Sequence, residues 1–117
     1  MRRFVLIPVL CLIQASAFAQ RSIDVPNFAD ASVKTFYQTY SAHLLKCIAA
    51  IREKNEAKAI ALFKDPGEQL VAREKIIAKN LATKPAEKQK YLQYAIQVYP
   101  YLMEVEASEY YRKIYGH

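Results

Sequence analysis

From Val33 onward, apolar residues recur at Val33, Tyr37, Tyr40, Leu44, Cys47 and Ile51, spaced 4, 3, 4, 3, 4. That is the a/d seam of a helix. Phe36, Leu45 and Ile48 widen the stripe, as a helix laid on a core requires. Asn27 or Asp30 is placed to cap its start, and Arg52, Glu53 and Lys54 end it in polar residues. Asn55 then reads as a break and a new cap. It leads into a short helix from Glu56 to Phe63, with Ala59, Ile60 and Phe63 as its apolar side. Asp65-Pro66-Gly67-Glu68 reads as the next start, with Asp65 as cap, Pro66 in the first helical position and Glu68 reaching back to the cap amide. This third helix runs to about Leu81, with Leu70, Ile77 and Leu81 along one face.

Thr83-Lys84-Pro85 predicts the start of a last, long helix reaching Tyr115, with Gly116 as its stop. It carries two apolar rows. One is Tyr91, Ala95, Val98, Leu102 and Val105. The other is Leu92, Ile96, Tyr99, Met103, Ala107, Tyr110 and Ile114. Pro100 sits inside this span, where a proline removes a backbone hydrogen bond. It falls on the polar row of Lys90, Gln93, Gln97, Pro100, Glu104 and Ser108, so the freed carbonyl faces water. The expectation is a bend near Ile96 to Pro100 within one continuous helix.

Sheet signals are missing: there are only two glycines, Gly67 and Gly116, no Asn-Gly or Asp-Gly turn and no alternating β-branched run. The pattern predicts an all-α protein, an antiparallel three- to four-helix bundle with a long kinked C-terminal helix. The first helix runs up, a broken second-plus-third helix runs down and the last runs up. At 1.5 Å per residue the last helix spans roughly 45 Å against roughly 36 Å for the first. Its far end is therefore expected to outrun its neighbours and leave Tyr110, Tyr111, Ile114 and Tyr115 under-covered.

The beginning of the chain follows a different rule. Met1-Arg2-Arg3 is a short basic stretch, Phe4 to Ile13 an apolar run broken only by Pro8, and Ala17-Phe18-Ala19 a small-residue ending. Residues 1–19 thus read as a cleavable signal peptide, cut between Ala19 and Gln20. The apolar run is short of the about 20 residues that a membrane span needs. An uncleaved anchor and lipidation at Cys11 are the alternatives. Residues 20–27 read as a mobile leader, and 28–117 as a single bundle domain with no transmembrane segment after cleavage. Export places the protein in the periplasm, or secreted to the cell surface.

Charge and cysteine usage change the picture slightly. The chain carries 17 basic and 11 acidic residues, a net +6, and two of the basic residues leave with the signal peptide. The excess is too thin for a nucleic-acid binder. Arg73, Lys75, Lys79, Lys84, Lys88 and Lys90 form a basic run that reads as a solvated face. Cys47 alone remains after cleavage, so no intramolecular disulfide can form. The fold must rest on its core, a ligand or a partner.

Candidate chemistry is sparse. His43 and Cys47 share a helix face and are possible metal ligands, but zinc wants three or four, and His117 is the only other histidine. Non-covalent haem would need a pair such as His43 with Met103. No C-x-x-C-H, Gly-rich phosphate loop or G-x-S-x-G elbow occurs. Glu104, Glu106 and Glu109 cluster in sequence on what reads as an exposed side. No catalytic constellation emerges, and no cofactor is implied. Tyrosine usage is the most unusual feature. Seven of the nine tyrosines lie between Tyr91 and Tyr115. Tyrosine suits protein contacts, with its large area and polar tip. Tyr101, Tyr110, Tyr111, Ile114 and Tyr115 are therefore the candidate partner surface.

The stretch Phe28-Ala29-Asp30-Ala31-Ser32-Val33-Lys34-Thr35-Phe36-Tyr37-Gln38-Thr39-Tyr40 resembles the opening of small exported helical proteins found in some Gram-negative bacteria. In these an F-x-D-x-x-V start leads into a Tyr-rich helix, followed by a polar break and a helical hairpin. The resemblance implies export and an all-helical fold. The family has no assigned activity, so no functional residue carries over. The function expected is that of a non-enzymatic interaction protein, forming a homodimer or pairing with another envelope protein. The alternative is a periplasmic carrier holding a metal, haem or an apolar small molecule within the bundle.

Overall fold

The computed structural model describes residues 23–116. Among them the chain forms five helices and no strand: α1 (Ala31–Arg52), α2 (Glu56–Lys64), α3 (Gly67–Leu81), α4 (Pro85–Ala107) and α5 (Glu109–Tyr115). The signal-peptide reading of residues 1–19 and the terminal His117 lie outside the described residues. No described helix is long and apolar enough to cross a membrane.

Local chemistry sets the ends. Asp30 is the cap of α1, its carboxylate accepting from the Ser32 amide at 2.9 Å. The other end closes with Lys54 in the left-handed region, φ 57°. The Lys54 amide bonds to the Ile51 carbonyl and the Asn55 amide to the Ala50 carbonyl, so two orphan acceptors are satisfied. Asn55 caps α2 as the sequence predicts, accepting from the Lys58 amide at 3.2 Å.

Two local expectations are corrected. Asp65 does not cap α3. It ends α2 in extended geometry, its amide bonded to Ala61, and Pro66, joined to it by a cis peptide, stands at the cap with no side-chain bond. The α4 helix starts where Thr83-Lys84-Pro85 predicts, with Lys84 at the cap, Pro85 in the first turn and the Thr83 hydroxyl donating backward to the Asn80 carbonyl. The last helix is continuous through Pro100 but ends at Ala107. Ser108 leaves helical geometry (ψ 138°), and its hydroxyl accepts from the Tyr110 amide to open α5. A serine before a glutamate is a cap signature that also fits a polar mid-helix position.

The packing follows the expected up, broken down, up course. Ala29 meets Glu87, Tyr37 and Ser41 meet Tyr94, and Arg52 meets Glu104, so α1 and α4 run side by side in the same direction. The α3 helix returns antiparallel between them, with Gly67 near His43 and Glu74 at Tyr37. The last segment does not outrun the bundle. Instead α5 packs on α2, with Lys113 bonded to Glu56 and the Tyr115 hydroxyl donating to the Phe63 carbonyl.

The core centres on Tyr37, Tyr94 and Ile48, all fully enclosed. Tyr37 touches the rings of Phe28, Phe36, Tyr40, Tyr91 and Tyr94, with centroids 4.6–6.4 Å apart. The hydroxyls of Tyr37, Tyr94 and Ser41 all have partners, as a dry interior demands. Tyr37 donates to Glu74 at 3.1 Å. Tyr94 donates to the Tyr37 carbonyl at 3.4 Å and lies 2.8 Å from the Ser41 hydroxyl.

The leader is tied down from Ile23 onward. The Asp24 amide donates to the Gln97 side chain and its carbonyl accepts from the same amide group, each at 2.8 Å. Ile23 and Val25 pack on the core, and Phe28 is buried in it. A polar row on α4 that reads as solvent-facing thus serves as a docking strip for an extended segment.

Candidate functional site

Two features remain after the core is accounted for. The first is on α4. A single helix can bury one face against α1 and α3, and α4 uses the face of Tyr94, Val98 and Val105. From Leu92 to Met103 the second apolar row turns outward, whereas Tyr110 of the same row is buried and Ile114 half-buried in α5. Leu92 is 42%, Ile96 75%, Tyr99 62% and Met103 48% exposed. Their spacing of 4, 3, 4 makes one continuous apolar stripe. Lys88 and Glu106 flank its two ends on the same side at helical spacing, both exposed. The opposite flank, Gln89, Gln93, Pro100 and Ala107, carries no charge.

The second feature is a cavity of about 410 Å³ to which all five helices contribute. Leu44 and Cys47 of α1, Leu102 and Val105 of α4 and Val71 of α3 give it apolar walls. Tyr40, Phe63, Tyr111 and Tyr115 add aromatic ones. Phe63 and Tyr111 meet edge-on at 5.6 Å, and Tyr111 and Tyr115 lie 4.7 Å apart. Gly67 belongs to the lining because a side chain would not fit there. A Cβ would stand 2.6 Å from the Leu62 carbonyl and 3.3 Å from His43 Nε2.

The polar groups at the cavity are His43, Glu68, Lys75, Glu106 and three phenols. Burial, with nearby Lys46 adding to it, holds His43 below the usual imidazole range. Burial pushes the Cys47 thiol up to about 11. The two meet at 3.4 Å, Sγ to Nε2, a neutral thiol beside a neutral imidazole whose tautomer decides which of them donates. This is the opposite of the thiolate a nucleophile or a metal ligand needs. Burial also raises Tyr40, to about 12, and Tyr111, with Glu106 contributing to both. Tyr115 is raised by burial and then by the neighbouring Glu68. The phenols are therefore protonated and neutral.

The structure thus brings His43, Cys47, Tyr111 and Tyr115 together around one space, which their positions in the sequence do not suggest. Among the described residues no third histidine, cysteine or acid joins the first two as a metal-holding group. Met103, the other half of the haem pair, lies on the outward stripe and does not line the cavity. The remaining members of the tyrosine surface are mostly covered. Tyr110 is buried, and Tyr101 and Ile114 are half-buried against the core. The three glutamates also disperse: Glu104 makes a bidentate pair with Arg52 at 2.8 Å, Glu106 stands at the cavity and Glu109 opens α5. In the basic run, Arg73 lies over the Phe36 ring and Lys90 bonds Asn27 and pairs with Glu87. The Leu92–Met103 stripe was visible as periodicity, but the pattern alone does not say which of two rows finds a partner.

Compared with models of protein families, with curated proteins and with solved structures, the chain matches none.

Proposed function

We propose that the protein is a non-enzymatic, self-associating protein of the cell envelope, pairing with a second copy through α4. The observation that carries this reading is the exposed stripe Leu92, Ile96, Tyr99 and Met103. Four large apolar side chains in line are a seam without a partner helix. The stripe is self-complementary under a two-fold axis between Ile96 and Tyr99. In that antiparallel pairing Leu92 meets Met103 of the second copy, and Lys88 meets its Glu106. The uncharged flank meets itself without repulsion. Export, and with it the periplasm or cell surface as location, rests on the reading of residues 1–19.

Native mass spectrometry of the purified protein tests the pairing. A doubled mass is expected, reduced to a single one by Ile96→Glu with helicity unchanged. Lys88→Glu alone weakens the dimer, and Lys88→Glu with Glu106→Lys restores it. A bare monomer at micromolar concentration, or a dimer indifferent to Ile96→Glu, overturns the reading.

The cavity favours a second reading, in which the bundle carries a small molecule. Its volume falls in the range of small-molecule sites, about 300–1,000 Å³, and its walls are mainly apolar with a few polar groups.

A further inference from the structure

The polar groups of the cavity run against the charge of the chain. The protein is net +6, yet the charged groups at this space are two carboxylates, Glu68 and Glu106, against one ammonium, Lys75. His43 is neutral there, for the reason given above. A cavity in a basic protein that gathers more negative than positive charge selects for the sign of its occupant.

The walls point the same way. Tyr40 comes from α1, Phe63 from α2, and Tyr111 and Tyr115 from α5, so rings converge from different elements. Aromatic faces carry negative potential and attract organic cations, at about 0.5–2 kcal/mol per good contact. An anion would meet those faces and the two carboxylates at once. A neutral apolar molecule would fill the space without using the two carboxylates.

Building on the carrier reading, we propose that the cavity is a binding site for a small organic cation, an ammonium group carried on an apolar or aromatic body. The body packs on Leu44, Val71 and Leu102, and the cationic head lies among the tyrosine rings near Glu68 and Glu106. No bond is made or broken, so the role is capture and release.

Calorimetric titration of the full chain tests this with three probes: benzyltrimethylammonium, its uncharged carbon isostere neopentylbenzene, and benzenesulfonate. The cation is expected to bind at least ten-fold more tightly than the isostere, and the sulfonate not to saturate. Glu68→Gln, a change at an exposed position, should lower cation affinity several-fold and leave the isostere unmoved. Tyr111→Leu should lower it about ten-fold, with helicity checked by circular dichroism. Equal affinity for cation and isostere would overturn the cation class while leaving a carrier of apolar molecules. Saturable binding of the sulfonate alone would also overturn it. Absence of binding by all three would overturn both readings of the cavity. The Glu68→Gln and Tyr111→Leu variants lie off the α4 stripe, so they test the cavity while leaving Glu106, which the pairing also uses, unchanged.

Discussion

Tyr37 and Tyr111 both stand in aromatic clusters with similar ring spacing, yet the two halves of the bundle they occupy are built differently. Around Tyr37 the rings fill the space between α1 and α4, and the hydroxyls of Tyr37, Ser41 and Tyr94 are spent on protein partners. Around Tyr111 the rings line a space of about 410 Å³, with Phe63 buried, Tyr111 half-buried and Tyr115 exposed. One half is a closed core, and the other is a wall. Tyrosine content by itself distinguishes neither. What separates them is whether the opposite side of each ring meets protein.

The comparison breaks most sharply at Tyr94. Tyr94→Ala should cost about 3–5 kcal/mol in urea unfolding followed by circular dichroism, the range for removing an enclosed ring. Tyr111→Ala should cost about 1 kcal/mol, since a half-exposed ring gives up less apolar contact. Equal costs would mean that the open half is packed as core. Gly67→Ala comes next. Helix propensity alone would favour alanine by up to about 1 kcal/mol. Its Cβ would instead meet backbone at 2.6 Å, so a net loss of about 1–3 kcal/mol is expected. A gain would show that the α2–α3 turn yields. Tyr94→Phe is finer still. It keeps the ring and strands the Ser41 hydroxyl, for about 1 kcal/mol.

The smallest effect is in pH. The unfolded chain takes up a proton on histidine at higher pH than folded His43 does. Stability from this group is therefore intact above pH 6.5 and falls as the pH drops toward the folded value. Glu74 acts oppositely. Burial raises its carboxyl, so its ionisation weighs on the fold above pH 4.5 and is relieved in acid. The difference between the protein and its His43→Gln variant isolates the first group. It should shrink from pH 7 to 5, and a constant difference would show that His43 titrates as in water.

The fold was legible where one residue's chemistry had one interpretation. The α1 seam, the Asn55 cap and the end of α3 at Leu81 follow from spacing and capping alone. It was illegible where two interpretations share one pattern. Ser108 suits a polar helix face as well as a cap. Asp65 suits the end of α2 as well as the start of α3. Both rows of α4 are apolar, and only the number of neighbouring helices decides that Val98 and Val105 go in while Ile96 stays out; Tyr94, which neither row contains, is buried beside them. The cavity was the least legible feature. It is assembled from all five helices, and its lining residues share no motif. In the sequence its lining reads as separate pieces, Tyr111 with Tyr115 as a partner surface and His43 with Cys47 as metal ligands, and neither piece suggests a space.

That same pair carries a consequence for how the molecule could be observed. Cys47 is the single described thiol, 2% exposed and held protonated. A thiol reagent reaches it only when the bundle opens, so the rate of labelling is set by the frequency of that opening. The protein thus contains its own clock. Slower labelling with a cavity occupant present would time the closing of the open half around it, with no residue of the chain changed.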